Sequence, residues 1–460
     1  MNGARDMPVS IGHEKAGARM MRILDRIRTI TLVACITAWG AAAKAELKPG
    51  MVLNRETWQQ AEGLLPPEVL KHYENGDYAN AIADWPNGLY MWPPDFKAAS
   101  EKNAGQLDVN DNGTIIEKGS NKQPPYIMGF PFPIIDPADP KAGAKILWNY
   151  FYRTWYLGSL HAQTQLNWVA PRNLDRRADV AADFEQYDGV PPDERLPNPD
   201  NFSVRILATT VSPADLNGTA ALTWRYRDSE KRDSSWAYVP ALRRVRAVSP
   251  ANRSDGFLGS DMSQDDGQFF DGKPEDFTWA LKGEADQLRF VDPLSLKGEA
   301  QQVWQPTGGW RNNWPDLKFL GYMDPTWKGI AWAPIVGALA KRPFWVVEGI
   351  PKDKYYLYGR IQLYIDKETF QGAWNRKFSW DGELLNTLQV MAFLMGKYTR
   401  PDGKVDYNSA QSMAFQCAEN VKRNQATAAG IKSSPKADFD FRVKFPATFF
   451  DVNSLGRAGK

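Results

Sequence analysis

Through the middle of the chain, apolar and polar residues alternate over short stretches, a period of two that predicts β-strands. Over residues 221–227, Leu222, Trp224 and Tyr226 alternate with Thr223, Arg225 and Arg227, so one face is apolar and the other basic. The next stretch, 235–266, begins the same way, with Trp236, Tyr238 and Pro240 on one side and Ala237, Val239 and Ala241 on the other. It then turns into a basic run, Arg243, Arg244 and Arg246. Past Ser249-Pro250 it becomes a loop rich in Gly, Ser and Asp, where regular structure should stop. Upstream, residues 163–169, 182–187 and 204–209 are further short strands, and Asn217-Gly218 supplies a turn, so this part reads as an antiparallel meander. A second run follows at 344–350, 355–365 and 373–380, closed by a polar turn at Asp381-Gly382.

Helical spacing is rarer. Residues 57–75 predict a helix interrupted at Pro66-Pro67, and 141–158 a helix leading into a strand. The clearest amphipathic helix is read at 383–396, with another at 407–421. These elements divide the chain into an N-terminal wrapping segment, 46–140, a β-sheet domain, 141–390, and a helical and irregular C-terminal extension, 391–460. The sheet domain contains an insertion at 305–341 with Trp310, Trp314, Trp327 and Trp332.

At 460 residues and 43% hydrophobic, the chain can bury a large core. Its first 45 residues have a different character: Arg22, Arg26 and Arg28 precede an apolar run over 30–43 that ends in Ala43-Lys44-Ala45. This is the pattern of a secretory signal peptide cleaved after Ala45, and the run is too short for a lasting membrane anchor. Lipid attachment at Cys35 is disfavoured, because too little apolar sequence precedes it. The leader holds seven Lys/Arg and three Asp/Glu, so the exported chain would have 49 basic and 51 acidic residues. That balance removes the case for a nucleic-acid partner. With Cys417 the one cysteine left, no internal disulfide forms in the periplasm.

Catalytic chemistry is not written in the pattern. His72 and His161 are the histidines beyond the leader, and no metal-ligand spacing, nucleophile elbow or phosphate loop is present, so no cofactor is expected. Asp108-x-Asn110-x-Asn112-Gly113 resembles half a calcium loop but has Gly119 where a glutamate is needed, and reads better as a hairpin tip. Asp261, Asp265, Asp266, Asp271, Glu275 and Asp276 form an acidic cluster that reads as a solvated loop partly paired with Arg243, Arg244, Arg246 and Arg253, with cation binding as the alternative. Aromatics beside carboxylates, Trp279 with Asp276 and Trp380 with Asp381, raise the alternative of a polysaccharide cleft.

The segment running from Trp236 to Arg246, followed by Gly259-Ser260-Asp261 and Asp265-Asp266, resembles a family of bacterial envelope proteins of unknown function related in fold to the LolA/LolB lipoprotein carriers. Lys48-Pro-Gly, Leu64-Leu-Pro-Pro, the segment Arg342 to Glu348 and the segment Tyr364 to Phe370 extend the likeness over most of 46–390. The resemblance implies a mainly β (α+β) fold, an open antiparallel β-barrel or strongly curved sheet closed by helices, with a hydrophobic cavity. It also implies a periplasmic carrier of a lipid or other hydrophobic ligand, working with a membrane exporter or outer-membrane partner, and no assigned catalytic residues. On this reading Trp224, Tyr226, Trp236 and Tyr238 line the concave face, and Arg243, Arg244 and Arg246 sit at the rim for an anionic head group. The competing readings are a polysaccharide-binding or polysaccharide-active protein and an envelope scaffold whose cavity is filled by its own side chains.

Overall fold

Pro66-Pro67 does what the sequence suggests: a 3-10 turn at Trp58–Ala61 gives way to helix α1 (Pro67–Asn75), which opens on proline and closes on Gly76 in the left-handed region. The computed structural model describes residues 46–457 apart from 90–91, 298–301, 306–308, 313–317, 395–396, 400–402, 404, 408–411 and 431–437. The leader, Cys35 and Trp314 lie outside the described residues. Helix α2 (Pro94–Asn103) follows, then a small hairpin of Leu107–Val109 and Ile115–Glu117. At its tip Asn110 Oδ1 accepts the backbone N–H groups of Asn112 and Thr114, each at 3.0 Å, so this stretch is a side-chain-stabilised turn.

These N-terminal elements grip the sheet. Residues Asn80–Ala83 pair parallel to a sheet strand through Leu339↔Ile82, and Glu68 of α1 takes both Nε (2.7 Å) and Nη2 (2.9 Å) of Arg376. Helix α3 (Ala142–Trp155) is apolar nearly all round and accordingly buried. It packs Ile146, Leu147 and Phe151 into one core with Trp279, Trp345, Val347, Ile361 and Leu363.

The sheet is a long antiparallel meander. Its first run comprises β1 (Leu160–Val169), β2 (Leu174–Gln186), β3 (Phe202–Ser212), β4 (Ala220–Tyr226), β5 (Ser234–Val239) and β6 (Arg244–Val248), each paired with the next. The second run comprises β7 (Phe277–Val291), β8 (Ala338–Pro351), β9 (Arg360–Asp366), β10 (Gly372–Phe378), β11 (Leu384–Phe393) and β12 (Ser412–Asn420). Here β7 pairs β8, and each later strand pairs its predecessor. Strands β13 (Gln425–Ala429) and β14 (Asp438–Phe441) both pair with β1, and β13 also pairs with β12, so the two runs are continuous. The second run curls until Val291 of β7 bridges Ala392 of β11. At the other end, no described strand pairs the outer side of β6. The fold is thus the mainly β, curved antiparallel sheet with helices against it that the family resemblance implies, and not a closed barrel.

Two helices read from sequence are strands here. Residues 383–396 give β11 and 407–421 give β12, because both segments lie between neighbouring strands and bury both faces, which replaces alternation with a continuous apolar run. The C-terminal region therefore supplies sheet strands, followed by a 3-10 turn at Val452–Arg457. The strand read at 355–365 begins only at Arg360, since 353–359 form a turn. In the Trp-rich insertion, Trp332 is fully buried and meets the His72 ring edge-on.

Candidate functional site

Two halves of the sheet have different contents. The second run is filled by α3 and its aromatic neighbours, whereas the first run keeps an apolar hollow of about 190 Å3. Its floor is one face of four adjacent strands: Leu160, Ala162 and Leu166 from β1, Val180, Ala182 and Phe184 from β2, Ile206 and Ala208 from β3, Ala221 and Thr223 from β4. Met413, Ala429 and Phe439 from β12, β13 and β14 extend the wall. Strand register explains the space. Ala162↔Ala182, Ala182↔Ala208, Ala208↔Ala221 and Ala221↔Ala237 stand directly opposite one another, so one row across the sheet carries only methyl groups. Ala182, Phe184, Ile206, Ala208 and Ala221 stay partly exposed, an arrangement that leaves apolar surface wet unless something covers it.

The roof is the acidic loop. Phe257, Met262 and Gly267 face the hollow from above, and Arg253, Asp266 and Asp271 are the charged residues on its lining. Buried ion pairs hold the loop to the sheet. Arg253 Nε donates to Asp265 Oδ1 at 2.6 Å and its Nη2 to Asp271 Oδ2 at 3.1 Å, while Arg225 of β4 donates to Asp233 (3.0 Å) and Asp271 (3.3 Å). Lys377 Nζ lies 2.6 Å from Asp266 Oδ1, and Tyr356 Oη donates to Asp265 Oδ2 at 2.8 Å. Asp261 accepts from Asn420 and Gln425, each at 3.0 Å, and burial raises its pKa. Gly372 makes room for the Phe269 ring, which a Cβ would approach to 2.1 Å. In this loop Gln268 and Phe269 both adopt positive φ, and side chains fix them: Tyr150 Oη donates to the Gln268 carbonyl and Asn375 Nδ2 to that of Phe269.

A separate polar cleft of about 750 Å3 lies where Asp233, Lys273, Glu275, Asp276, Lys352, Lys354 and Tyr355 meet. Burial pushes the Glu275 carboxyl up to about 7. The paired residues suggested for a sugar cleft do not build it together. Trp279 is buried with its Nε1 donating to the Pro274 carbonyl, and Trp380 donates to the Tyr356 carbonyl. Among the described residues no cluster of His, Cys, Asp and Glu has metal-binding geometry, and no helix is long and apolar enough to cross a membrane.

Trp224, Tyr226, Trp236 and Tyr238 do come together, but on the opposite face from the hollow. Alternation on β4 sends Ala221 and Thr223 into the hollow and Leu222, Trp224 and Tyr226 away from it. The aromatic face is covered by the C-terminal tail. Trp224, Trp236 and Tyr238 pack with Phe445, Phe449, Phe450, Val452 and Leu455, and Trp224 Nε1 donates to the Phe450 carbonyl at 2.9 Å. Trp224 and Trp236 meet edge-on at 4.7 Å, and Tyr226 stacks on Phe202 at 5.2 Å. Arg243, Arg244 and Arg246 are exposed on the edge hairpin, and the arginine that enters the acidic loop is Arg253. The basic face of β4 is likewise internal: Arg225 pairs within the roof, and Arg227 donates to Asp188 at 2.9 Å. The hollow itself was announced only by alanines at alternate positions, a signal that composition-based reading passes over.

The family model described as "Protein of unknown function (DUF1329)" matches residues 57–456. No curated protein matches the chain. Among solved structures, a proposed outer membrane lipoprotein-sorting protein domain from Vibrio parahaemolyticus is 16% identical, with a TM-score of 0.43 over 69% of this chain and 100% of that one. A DUF1329 family protein from Desulfovibrio piger is 17% identical, with a TM-score of 0.42 over the same shares. A LolA superfamily protein from Nitrosomonas europaea is 11% identical, with a TM-score of 0.36 over 65% of this chain and 95% of that one.

Proposed function

The chain belongs to the DUF1329 family, and from that premise we propose that it is a non-enzymatic carrier of the cell envelope, holding a lipid or another hydrophobic molecule in the hollow of the first sheet run. The observation that carries this reading is the partly exposed apolar floor formed by Ala182, Phe184, Ile206, Ala208 and Ala221 beneath a roof fixed by buried ion pairs. Burying such a floor under an apolar ligand returns roughly 25 cal/mol for each Å2 removed from water, and the rigid roof spares the cost of ordering the site on binding. The signal-peptide pattern of the first 45 residues supports a periplasmic location, where a hydrophobic molecule needs a protein to cross the aqueous gap. An exporter or outer-membrane protein would hand over or receive the cargo.

Native mass spectrometry of protein purified from the envelope, with organic extraction of the same sample, tests the reading. An apolar molecule bound at near one per chain supports it; a ligand-free protein that also takes up no fluorescent fatty-acid analogue sinks it. The polysaccharide reading draws on the polar cleft beside Glu275 and Tyr355, which is 90% exposed. Glycan binding that is lost on Tyr355→Ala, with the hollow empty, would favour that alternative.

A further inference from the structure

The hairpin of β5 and β6 differs from the rest of the surface. From Ser234 to Ser254 the chain has no carboxylate side chain, yet it places Arg243, Arg244 and Arg246 exposed at the bend and along the free edge. Among the described residues none of the three is engaged in an ion pair, whereas the nearby Arg253 is buried and paired. Apolar side chains stand beside them in water: Leu242 is 52% exposed, and Val239 and Val245 are each 37% exposed. Charged residues on an outer strand can simply guard a sheet edge from pairing. That role would not require Leu242 at the tip or an exposed Val239 opposite Arg244.

We infer that this hairpin docks the protein on an anionic lipid bilayer, with the arginines on the phosphates and Leu242 entering the headgroup boundary. Charge complementarity selects the partner, because three cations that form no ion pair among the described residues are attracted to a negatively charged leaflet, and adjacent apolar side chains add burial that an aqueous polyanion cannot offer. Strand register gives the docking a direction. Arg246 stands opposite Ala237, and Ala237 opposite Ala221, so Arg246 projects from the same sheet face as the floor of the hollow. The bilayer would then meet the edge of that face.

Sedimentation of the full chain with phosphatidylcholine vesicles, with and without phosphatidylglycerol, tests the docking, and it does not depend on the hollow holding any ligand. Binding is expected only to the phosphatidylglycerol vesicles. It should fall about a hundredfold in the variant R243Q/R244Q/R246Q, roughly fivefold per arginine, and binding of the parent chain should also fall at about 1 M salt, where the screening length is about 3 Å. Leu242→Ser should weaken it without changing the salt dependence. Thermal unfolding checks that these exposed substitutions leave the fold intact. Failure of the parent chain to bind anionic vesicles, equal binding to neutral ones, or an unaffected triple variant would overturn the inference, as would binding that ignores Leu242→Ser, the result expected of charge adsorption without insertion.

Discussion

Arg253 Nε lies 2.6 Å from Asp265 Oδ1, and both side chains are buried between the roof loop and the sheet. Arg253 also donates to Asp271, which Arg225 of β4 reaches from below, so one guanidinium ties together the two ends of the loop. Removing it takes the cation from the buried Asp265 carboxylate, which keeps the Tyr356 hydroxyl, and leaves Asp271 with Arg225 alone. Arg253→Met should cost about 3–5 kcal/mol in urea unfolding, the range for breaking one side of a buried pair. The change should also open the roof, seen as faster amide exchange over 257–270. A loss below about 1 kcal/mol would mean that the loop is held by its apolar contacts instead.

His72 Nε2 sits 2.8 Å from Glu419 Oε1 and Nδ1 3.1 Å from Asp77 Oδ2, with the ring stacked on Tyr78 at 4.5 Å. Burial is the largest single influence and pulls its pKa down, but hydrogen bonds to Asp77 and Glu419 and the charges of both together carry it from 6.5 up to about 9. The folded protein thus holds this proton more tightly than the unfolded chain. The resulting stabilisation, roughly 3 kcal/mol, is complete below pH 6.5 and disappears as the pH rises through 9. Unfolding measured across that window should show the decline, and His72→Gln should flatten it. An unchanged slope would place the titration elsewhere.

Phe450 of the C-terminal tail, not a ligand, is the neighbour of Trp224. Phe450→Ala should destabilise the protein by about 3–5 kcal/mol, the usual cost for a buried phenylalanine, and shift tryptophan emission to the red as Trp224 and Trp236 gain water. Binding of a fatty-acid analogue should not change. Loss of binding in a variant that is still folded would return the aromatic face to the ligand site.

That face shows what alternation can and cannot say. The pattern over 221–227 correctly predicts a strand with two unlike faces, observed at Ala220–Tyr226, and the turn at Asn217-Gly218 correctly predicts its antiparallel neighbour. Which face is concave depends on what covers each, and the cover comes from Phe445, Phe449 and Phe450, more than 200 residues along the chain. Large aromatics look like a ligand wall, but a wall that leaves room is built from small residues, and Ala182, Ala208 and Ala221 carry little signal one at a time. The same limit applies to β11. Leu384, Leu388 and Met391 fit a helical stripe, but Val390 and Phe393 lie off it and are as buried as Leu388 and Met391, between strands β10 and β12. Arg225 and Arg227 looked like a basic surface because their partners, Asp233, Asp271 and Asp188, meet them only in three dimensions.

The row of opposed alanines offers the sharpest test of where a ligand sits. Ala208 faces the hollow from the middle of that row and is partly exposed, so a larger side chain there can occupy existing space without forcing the strands apart. Ala208→Trp should therefore cost at most about 1–3 kcal/mol of stability, while filling the hollow with the protein's own indole. Affinity for a fluorescent fatty-acid analogue should drop about tenfold or more, equivalent to at least ~1.4 kcal/mol, and any apolar molecule that co-purifies with the parent protein should be missing. Trp224→Leu, on the opposite face of the adjacent strand, is the control and should retain binding. If Ala208→Trp binds as the parent does, the ligand does not use this hollow and the carrier reading loses its site.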